Sequence, residues 1–352
     1  MDSYSLDRIT QEPEDISGTS AFDYQSRTIE KTVEKTEKIT DRIDAITLIK
    51  PEYLTIKPPA PRSVKIELTQ RCNYRCAFCA LQFRENSTAD LDWELFKRIT
   101  KEMRDAGVVE IAPFYIGESF TMPGRLIDAI TWLKKDLETP YVFLTTNGSL
   151  ANPDILEQCM KAGLDSLKFS VTSGDEEDFK KVVRVSPRLF HKAIQNIKKA
   201  REIRDQGFYK TRLYASSIKY DGEQAARMEQ FLQQNVIPYV DQHYWLPLYT
   251  FGAMTDHVTE KMDYQPTPGN MGRIGALRDP LPCWCVFTEG HVCADGMLSA
   301  CGFDATSKYT AANLNEVSFM EGWHSTTFQD LRAAHLRKDV KGTVCEDCAL
   351  YK

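Results

Sequence analysis

Three cysteines near residue 75 have the most informative spacing in the chain. Cys72, Cys76 and Cys79 form a C-x3-C-x2-C cluster directly after a predicted strand, Ser63–Thr69. Three thiolates on one short loop suit a cubic iron–sulfur cluster and leave its fourth iron without a protein ligand. An open metal position is where a substrate or cofactor binds, so the spacing indicates chemistry. The alternative, a zinc loop, would need a fourth ligand nearby.

At these residues the sequence resembles the radical S-adenosylmethionine (radical SAM) superfamily, whose motif has this spacing and an aromatic residue before the last cysteine. Phe78 stands at that position. The resemblance implies that S-adenosylmethionine (SAM) chelates the open iron. The reduced cluster then cleaves SAM to a 5′-deoxyadenosyl radical, which abstracts a substrate hydrogen. It also implies that Cys72, Cys76 and Cys79 bind the [4Fe–4S] cluster, with Phe78 against the adenine.

Weaker matches to the family follow the next predicted strands. The segment Ile-Gly-Glu-Ser at 116–119 stands where the family has Gly-Gly-Glu-Pro. Gly117 would allow close backbone approach, and Glu118 would accept a hydrogen bond from the amino group of SAM. Ser170 and Thr172 share one face of the fourth predicted strand. If that face is the barrel interior, their hydroxyls would contact the cofactor.

Three further side chains are candidates for cofactor binding or catalysis. Arg184 resembles the arginine that pairs with the cofactor carboxylate through a bidentate fork, and the alternative is an ordinary surface arginine. His243 and Tyr244, on the sixth predicted strand, are candidate substrate contacts and candidate catalytic groups. A Thr-Asn-Gly segment at 146–148 ends the third predicted strand, as in many relatives, although Asn-Gly is also a common turn.

A second cysteine set lies at the C-terminus. Cys283, Cys301, Cys345 and Cys348 resemble the "twitch" or shortened SPASM domain of the same family, which carries one auxiliary [4Fe–4S] cluster. Four thiolates would leave no iron open, and a structural zinc is the alternative. The ligand order and spacings are similar to those of 2-deoxy-scyllo-inosamine dehydrogenases, radical SAM enzymes that oxidise an aminocyclitol alcohol.

Two cysteines near this set have no predicted partner. Cys285 and Cys293 are interpreted as inert buried thiols, with two alternatives. Either would replace Cys283 as a ligand, or a thiol facing the barrel would donate a hydrogen atom to a substrate radical, as radical epimerases require.

The elements that position these groups alternate between strand and helix from about residue 63 to 250, which indicates an α/β fold with a parallel sheet. Together with the cysteine motif, the pattern predicts a partial (β/α)6 barrel, although the pattern alone would also fit a full barrel or a doubly wound sheet. Three regions are predicted: a polar, helical N-terminal extension and linker at 1–60, a radical SAM core at 61–255, and a loop with the auxiliary-cluster domain at 256–352. An apolar stripe over residues 28–46 indicates an amphipathic helix or a solvated arm.

Composition excludes several classes of partner. The net charge is −6 and no basic block occurs, which argues against nucleic acid as the main partner. No apolar run approaches the roughly 20 residues of a membrane helix. The chain has ten cysteines, and its two C-x-x-C spacings, at 76–79 and 345–348, together with the missing signal peptide favour metal binding in a reducing cytoplasm.

The predicted function is a two-electron oxidation of a small sugar-like or aminocyclitol-like alcohol. Hydrogen abstraction leaves a carbon radical, and an auxiliary cluster would accept the second electron while a base removes the hydroxyl proton. The resemblance implies a reducing partner such as flavodoxin or ferredoxin. The alternative is modification of a peptide by crosslinking, excision or epimerisation. A pure electron carrier would need neither Glu118 nor an open cluster.

Overall fold

The fold is built on one sheet, and its first part consists of six parallel strands. The computed structural model describes residues 38–84, 88–247, 273–276, 278–304, 309–346 and 348. Each of the six strands pairs with the next in sequence order, as crossover connections require. The strands are β1 Ser63–Ile66, β2 Glu110–Ala112, β3 Tyr141–Thr146, β4 Ser166–Ser170, β5 Arg212–Ile218 and β6 Gln242–Leu246.

Past β1 the sheet is extended by the C-terminal region instead of closing on β6. The added strands are β7 Glu289–Val292, β8 Met297–Ser299 and β9 Thr310–Asn313. β7 runs parallel to β1, whereas β8 and β9 are antiparallel. The predicted partial (β/α)6 barrel is confirmed, and its sheet is open. Because β7 adjoins β1, Cys293, which follows β7, lies near the loop that follows β1.

The helices between the strands begin at clear signals. The side chains of Asp92 and Asn152 accept hydrogen bonds from the third residues of the helices that follow them. None of the helices in the described ranges is long and apolar enough to cross a membrane. They are α1 Ile39–Thr47, α2 Trp93–Asp105, α3 Pro123–Thr131, α4 Pro153–Ala162, α5 Glu176–Val182, α6 Arg188–Gln206, α7 Gly222–Asn235, α8 Cys285–Thr288, α9 Phe319–Trp323 and α10 Thr326–Leu336.

The short helix α5 was not expected from the sequence, and it supports the cysteine loop. Phe179 and Val182, on its apolar side, are buried against Tyr74 in a cluster that also contacts Cys72 and Cys76. The ring of Tyr74 meets that of Phe179 edge to face at 5.5 Å. α5 therefore packs directly on the predicted metal-binding loop.

The end of the N-terminal extension packs on the body of the protein as α1. Ile39 and Ile46 are buried. Arg42 forms an ion pair with Glu110 at 2.6 Å and lies 3.3 Å from the centre of the Tyr141 ring. This part of the predicted amphipathic helix is confirmed, and its earlier part, 28–37, lies outside the described residues.

Candidate functional site

The three cysteines of the loop after β1 line a cavity of about 280 Å³. Cys72, Cys76 and Cys79 are half-buried on its wall. The Ala77 amide donates a hydrogen bond to the carbonyl of Val182 at 2.8 Å, which ties the loop to α5. The structure therefore brings the predicted ligand triad together at the edge of an open space.

The donor set fits an iron–sulfur cluster. Burial and the Glu118 carboxylate raise the pKa of Cys72 to about 12, so the thiol ionises at neutral pH only when a metal compensates the charge. Across the described ranges, no three Cys, His, Asp or Glu side chains converge as they would on a single metal ion. In a cluster each iron takes one thiolate, so the three sulfurs need not share one point.

Glu118 is the carboxylate of this cavity, and both of its oxygens are fixed. Oε1 accepts hydrogen bonds from the Phe120 amide at 3.2 Å and the Thr146 hydroxyl at 2.9 Å. Oε2 accepts from the Asn147 amide at 2.8 Å. Burial raises the pKa of Glu118, and these three hydrogen bonds oppose that rise by favouring the ionised form. The side chain is thus an oriented acceptor for a donor in the cavity.

The loop after β2 passes so close to the end of β1 that only glycine fits at position 117. A Cβ at this position would lie 2.0 Å from the carbonyl oxygen of Thr69. The adjacent Glu118 amide donates to the Arg71 carbonyl at 2.8 Å, next to the first cysteine. The glycine therefore holds the Glu118 loop directly against the cysteine loop.

The remaining wall of this cavity, called the cofactor cavity below, includes several of the predicted site residues. Phe78, Ser170 and Thr172 line it together with the cysteines and Glu118. Asn147, from the Thr-Asn-Gly segment, also lines it and donates to Asn73 of the cysteine loop at 2.9 Å. Neutral hydroxyl and amide groups beside a carboxylate suit the ribose and amino acid parts of SAM.

The three predicted catalytic candidates lie in different places. Arg184 lines neither the cofactor cavity nor the cavity next to it. Its Nε donates a hydrogen bond to the Arg75 carbonyl at 2.8 Å, and an Nη donates to Gln82 at 2.7 Å, so the side chain lies against the cysteine loop. His243 lines neither cavity, and burial lowers its pKa to about 4. Tyr244 is buried and lines the neighbouring cavity. The roles proposed for all three stay predictions.

The neighbouring cavity, called here the substrate cavity, measures about 310 Å³ and lies inside the barrel. Phe114, Tyr115 and Thr145 are on the wall of both cavities, so the two adjoin. Helix α1 and β6 contribute further wall. The charged side chains on its wall are Arg42, Lys65, Glu110, Lys168 and Glu289.

The C-terminal cysteines have different surroundings. Cys283 is buried, and Cys301, Cys345 and Cys348 are half-buried. The Cys283 amide donates to Nδ1 of His335 at 3.1 Å, so the neutral ring carries its proton on Nε2, which lies 3.4 Å from the Cys345 sulfur. Burial raises the pKa of Cys345 first, and Cys283 and Cys348 raise it further, as expected for thiols gathered in one site.

The two unassigned cysteines are also separated. The Cys285 thiol is hydrogen-bonded to Cys283 and lines the substrate cavity. Cys293 lies 3.9 Å from an Nη of Arg84, which in turn forms a buried ion pair with Glu67 at 2.7 Å. Glu67 accepts hydrogen bonds from the Gly117 and Ala294 amides at 3.0 and 3.3 Å, so this pair joins the two cysteine regions.

Comparison with protein families agrees with this arrangement. Residues 66–212 match the radical SAM superfamily, and residues 283–349 match the SPASM iron–sulfur cluster-binding domain. The chain is a radical SAM enzyme with a C-terminal SPASM auxiliary-cluster domain. Its cofactors are a SAM-binding [4Fe–4S] cluster, an auxiliary cluster and SAM.

The curated relatives match over part of the core only. A probable GTP 3′,8-cyclase of Thermoplasma volcanium is 32% identical over 126 residues, which is 36% of this chain and 37% of the relative. A tungsten-containing aldehyde ferredoxin oxidoreductase cofactor-modifying protein of Pyrococcus furiosus is 31% identical over 107 residues, 30% of this chain and 29% of the relative. The matched part is about a third of each relative's length.

Solved structures share the fold over most of the chain. BtrN in complex with AdoMet and 2-DOIA has a TM-score of 0.51 at 15% identity, covering 78% of this chain and 86% of BtrN. Streptococcus suis SuiB bound to precursor peptide SuiA has a TM-score of 0.60 at 15% identity, covering 99% and 78%. AnSMEcpe with bound AdoMet has a TM-score of 0.55 at 12% identity, covering 78% and 83%.

Several residues of the site were not identified from the sequence. Tyr115 follows β2 and lies on the wall of both cavities, and Lys168 lies on β4 two residues before Ser170. The alternation that placed Ser170 and Thr172 on one face extends to Lys168 and would have identified it. No sequence signal pairs Glu67 with Arg84.

Proposed function

We propose that this radical SAM enzyme is an oxidoreductase that removes two electrons from a small sugar-like or cyclitol-like alcohol. One side chain, Tyr115, carries the proposal. It lines both cavities, and its hydroxyl donates a hydrogen bond to the Cys301 carbonyl at 3.0 Å. The substrate cavity is therefore one side chain away from a predicted ligand of the auxiliary cluster.

This proximity matters because oxidation of an alcohol needs two separate one-electron steps. When bound, SAM with its cluster supplies hydrogen abstraction, and the auxiliary cluster supplies an acceptor for the second electron. The residues of the chain bind and orient the cluster, SAM and the substrate. Cys72, Cys76 and Cys79 hold the first cluster, Glu118 accepts a hydrogen bond from the amino group of SAM, and the substrate cavity holds the alcohol.

The size of the substrate cavity favours a small molecule. Its volume of about 310 Å³ lies at the lower end of the range of small-ligand sites, roughly 300–1,000 Å³. BtrN, whose structure holds AdoMet and 2-DOIA, shares the fold over most of this chain. A flavodoxin-like or ferredoxin-like protein is the proposed electron donor to the first cluster.

Peptide modification is the second candidate function. SuiB, bound to its precursor peptide, shares the fold as well. Cys285 adds a specific observation, because its thiol lies on the wall of the substrate cavity. A thiol in that position would donate a hydrogen atom to a carbon radical, which gives epimerisation instead of oxidation.

The test is an assay of the anaerobically reconstituted enzyme with SAM, a reductant and a panel of alcohols deuterated at the carbinol carbon. Oxidation predicts deuterium in 5′-deoxyadenosine and one carbonyl product for each 5′-deoxyadenosine. The Cys285→Ala variant would retain this activity. Cys159→Ala, a buried cysteine on α4 outside both cavities, is the matched control.

Epimerisation predicts the opposite pattern. The product would be an isomer that takes up solvent hydrogen at the reacting carbon, and Cys285→Ala would stop its formation while 5′-deoxyadenosine still forms. That result would reject the oxidation proposal.

A further inference from the structure

Strand β4 lines both cavities and presents different side chains to each of them. Its interior face carries Ser166 and Lys168 on the substrate cavity and then Ser170 on the cofactor cavity, followed by Thr172. Side chains two apart on a strand lie on the same face, about 7 Å apart. Lys168 is thus the residue of this face that directly precedes Ser170, at the boundary between the two cavities where cofactor and substrate would meet.

Lys168 differs from the other cations of the substrate cavity in forming no ion pair with a described residue, and Glu289, which is paired with Lys65, acts on it only at longer range. Arg42 is paired with Glu110 at 2.6 Å, and Lys65 is paired with Glu289 at 2.8 Å. Within the described part of the chain, Lys168 has neither a hydrogen bond nor an ion pair. The described wall therefore carries three cations and two carboxylates, and Lys168 is the uncompensated charge.

An uncompensated ammonium in such a place is unfavourable in the empty protein. The centre of the Tyr244 ring is 5.9 Å from Nζ. Burial and, to a smaller extent, Lys65 lower the pKa of Lys168 to about 7, and Glu289 opposes the change. A ligand that brought a negative charge would remove this penalty.

We infer that Lys168 binds an anionic group of the substrate, a carboxylate or a phosphate. The inference rests on the proposed function only in assigning this cavity to the substrate. It narrows the substrate class to alcohols that carry an acid group, such as sugar acids, hydroxy acids or sugar phosphates. The ammonium of an aminocyclitol would meet a like charge at this position.

The first experiment needs no knowledge of the substrate. The reconstituted full chain with SAM is labelled briefly with acetic anhydride, and acetylation of Lys168 is followed by peptide mass spectrometry. Gluconate, quinate or glucose 6-phosphate should slow labelling of Lys168 by about tenfold at neutral pH, because a bound anion keeps the amine protonated. Glucitol and myo-inositol should not, and exposed Lys161 is the internal control.

The second experiment compares two substitutions by calorimetric binding of the same probes. Lys168→Arg retains the positive charge and should retain the preference for the acid over its neutral partner. Lys168→Gln should lose it, with acid affinity falling by about tenfold or more. Lys161→Gln removes the same charge from the surface of α4 and should change nothing.

The affinity should also depend on pH in a defined direction. Carboxylates are ionised throughout the range from about pH 6 to pH 9, so the amine is the titrating partner. Gluconate or quinate should bind best below pH 7 and lose up to about tenfold per unit above it, and Lys168→Gln should abolish this slope. The other charged or titratable groups on the wall of the same cavity are Arg42 on α1, Lys65 on β1, Glu110 on β2, Tyr115 after β2, Tyr244 on β6, Cys285 on α8 and Glu289 on β7.

Unchanged labelling of Lys168 with every acid, or an acid preference that survives Lys168→Gln, would overturn the inference. So would equal loss of the acid preference in Lys168→Arg and Lys168→Gln. Failure of the oxidation proposal is distinguishable, since binding and labelling require no turnover. Acid-selective binding without any carbonyl product would reject oxidation and leave the anion site standing.

Discussion

The two cysteine sites use the same donor atom in opposite surroundings. The first set lies on the wall of a cavity together with the oriented carboxylate of Glu118 and several hydroxyl groups. At the second, Cys283 is buried, and Cys345 is next to His335 and packs against a small apolar cluster that includes Phe287 and Leu331. The difference shows that one chain holds one cysteine set beside an open cavity and the other against apolar packing.

A buried ion pair connects the loop after β1 to the turn after β7. The Glu67–Arg84 pair contacts the Gly117 amide on one side and the Ala294 amide and Cys293 on the other. A buried pair of this kind is costly to disrupt, by about 3–5 kcal/mol, because one charge is then left without its partner. Removal of either partner would therefore disturb both the loop after β2 and the turn after β7.

The largest expected effect separates the two sites by removing one set of cysteines at a time. Replacing Cys72, Cys76 and Cys79 by Ala should lower the iron content after anaerobic reconstitution from about eight to about four atoms per chain and abolish SAM cleavage. Replacing Cys301 and Cys345 by Ala should also leave about four irons but retain SAM cleavage. Iron and sulfide analysis with 5′-deoxyadenosine measurement checks both.

Cys159→Ala is the control for cysteine loss itself. Four irons in the wild type and none in the first variant would show that the C-terminal cysteines hold no iron–sulfur cluster. A zinc-stabilised C-terminal domain with epimerisation or rearrangement chemistry would then be the better hypothesis, and the argument for oxidation would fail.

The first site was readable from the sequence because its signals are local. The cysteine spacing, Phe78 and the Gly117–Glu118 pair lie on short loops that directly follow strands, and strand alternation identified Ser170. Gly117 is a clear case, since the close approach to the Thr69 carbonyl allows no side chain. Local chemistry and spacing were sufficient there.

The substrate cavity was harder to predict because its wall depends on distant pairings. Arg42 finds its partner Glu110 68 residues away, and only the packing of α1 brings them together. The parallel pairing of β7 with β1 likewise cannot be read from either strand alone. The domain boundaries at 60 and 255 and the site roles of Arg184, His243 and Tyr244 stay predictions.

A smaller effect tests the carboxylate that distinguishes the first site. In Glu118→Gln, one of the two positions now receiving backbone or hydroxyl donors would carry an amide NH2 group instead of an acceptor. Loss of a charged acceptor for the SAM amino group costs about 1.5–3 kcal/mol, so the Kd for SAM should rise roughly 10- to 100-fold. Equilibrium binding of SAM to the reconstituted enzyme measures it.

Thr146→Val is the matched control for Glu118→Gln. It removes one hydroxyl donor to Glu118 and leaves the carboxylate charge, so the Kd should rise only about threefold to tenfold. Equal effects of the two variants would mean that Glu118 organises the loop without contacting SAM.

The smallest expected effect concerns His335, the neutral group beside the second site. Burial lowers the pKa of His335 to about 4, so at neutral pH its Nε2 proton points toward the Cys345 sulfur as a hydrogen-bond donor. Such a bond stabilises the reduced, more negative cluster. His335→Phe keeps an aromatic ring against Phe287 but removes the donor, and the auxiliary midpoint potential should fall by about 50 mV, close to a tenfold change for one electron.

The measurement is a redox titration followed by electron paramagnetic resonance, made in the Cys72/Cys76/Cys79→Ala background so that only the auxiliary cluster contributes. His324 is the control, because its ring is hydrogen-bonded to the Pro58 carbonyl at 2.7 Å and not to a cysteine. His324→Phe should leave the midpoint potential unchanged. An unchanged potential in His335→Phe with full iron content would contradict the hydrogen bond. A fall in both variants would instead indicate a general loosening of the C-terminal domain. Only a fall confined to His335→Phe means that a hydrogen bond to the Cys345 sulfur sets part of the auxiliary midpoint potential. The second site would then depend on a donor to its sulfur, as the first depends on the Glu118 carboxylate.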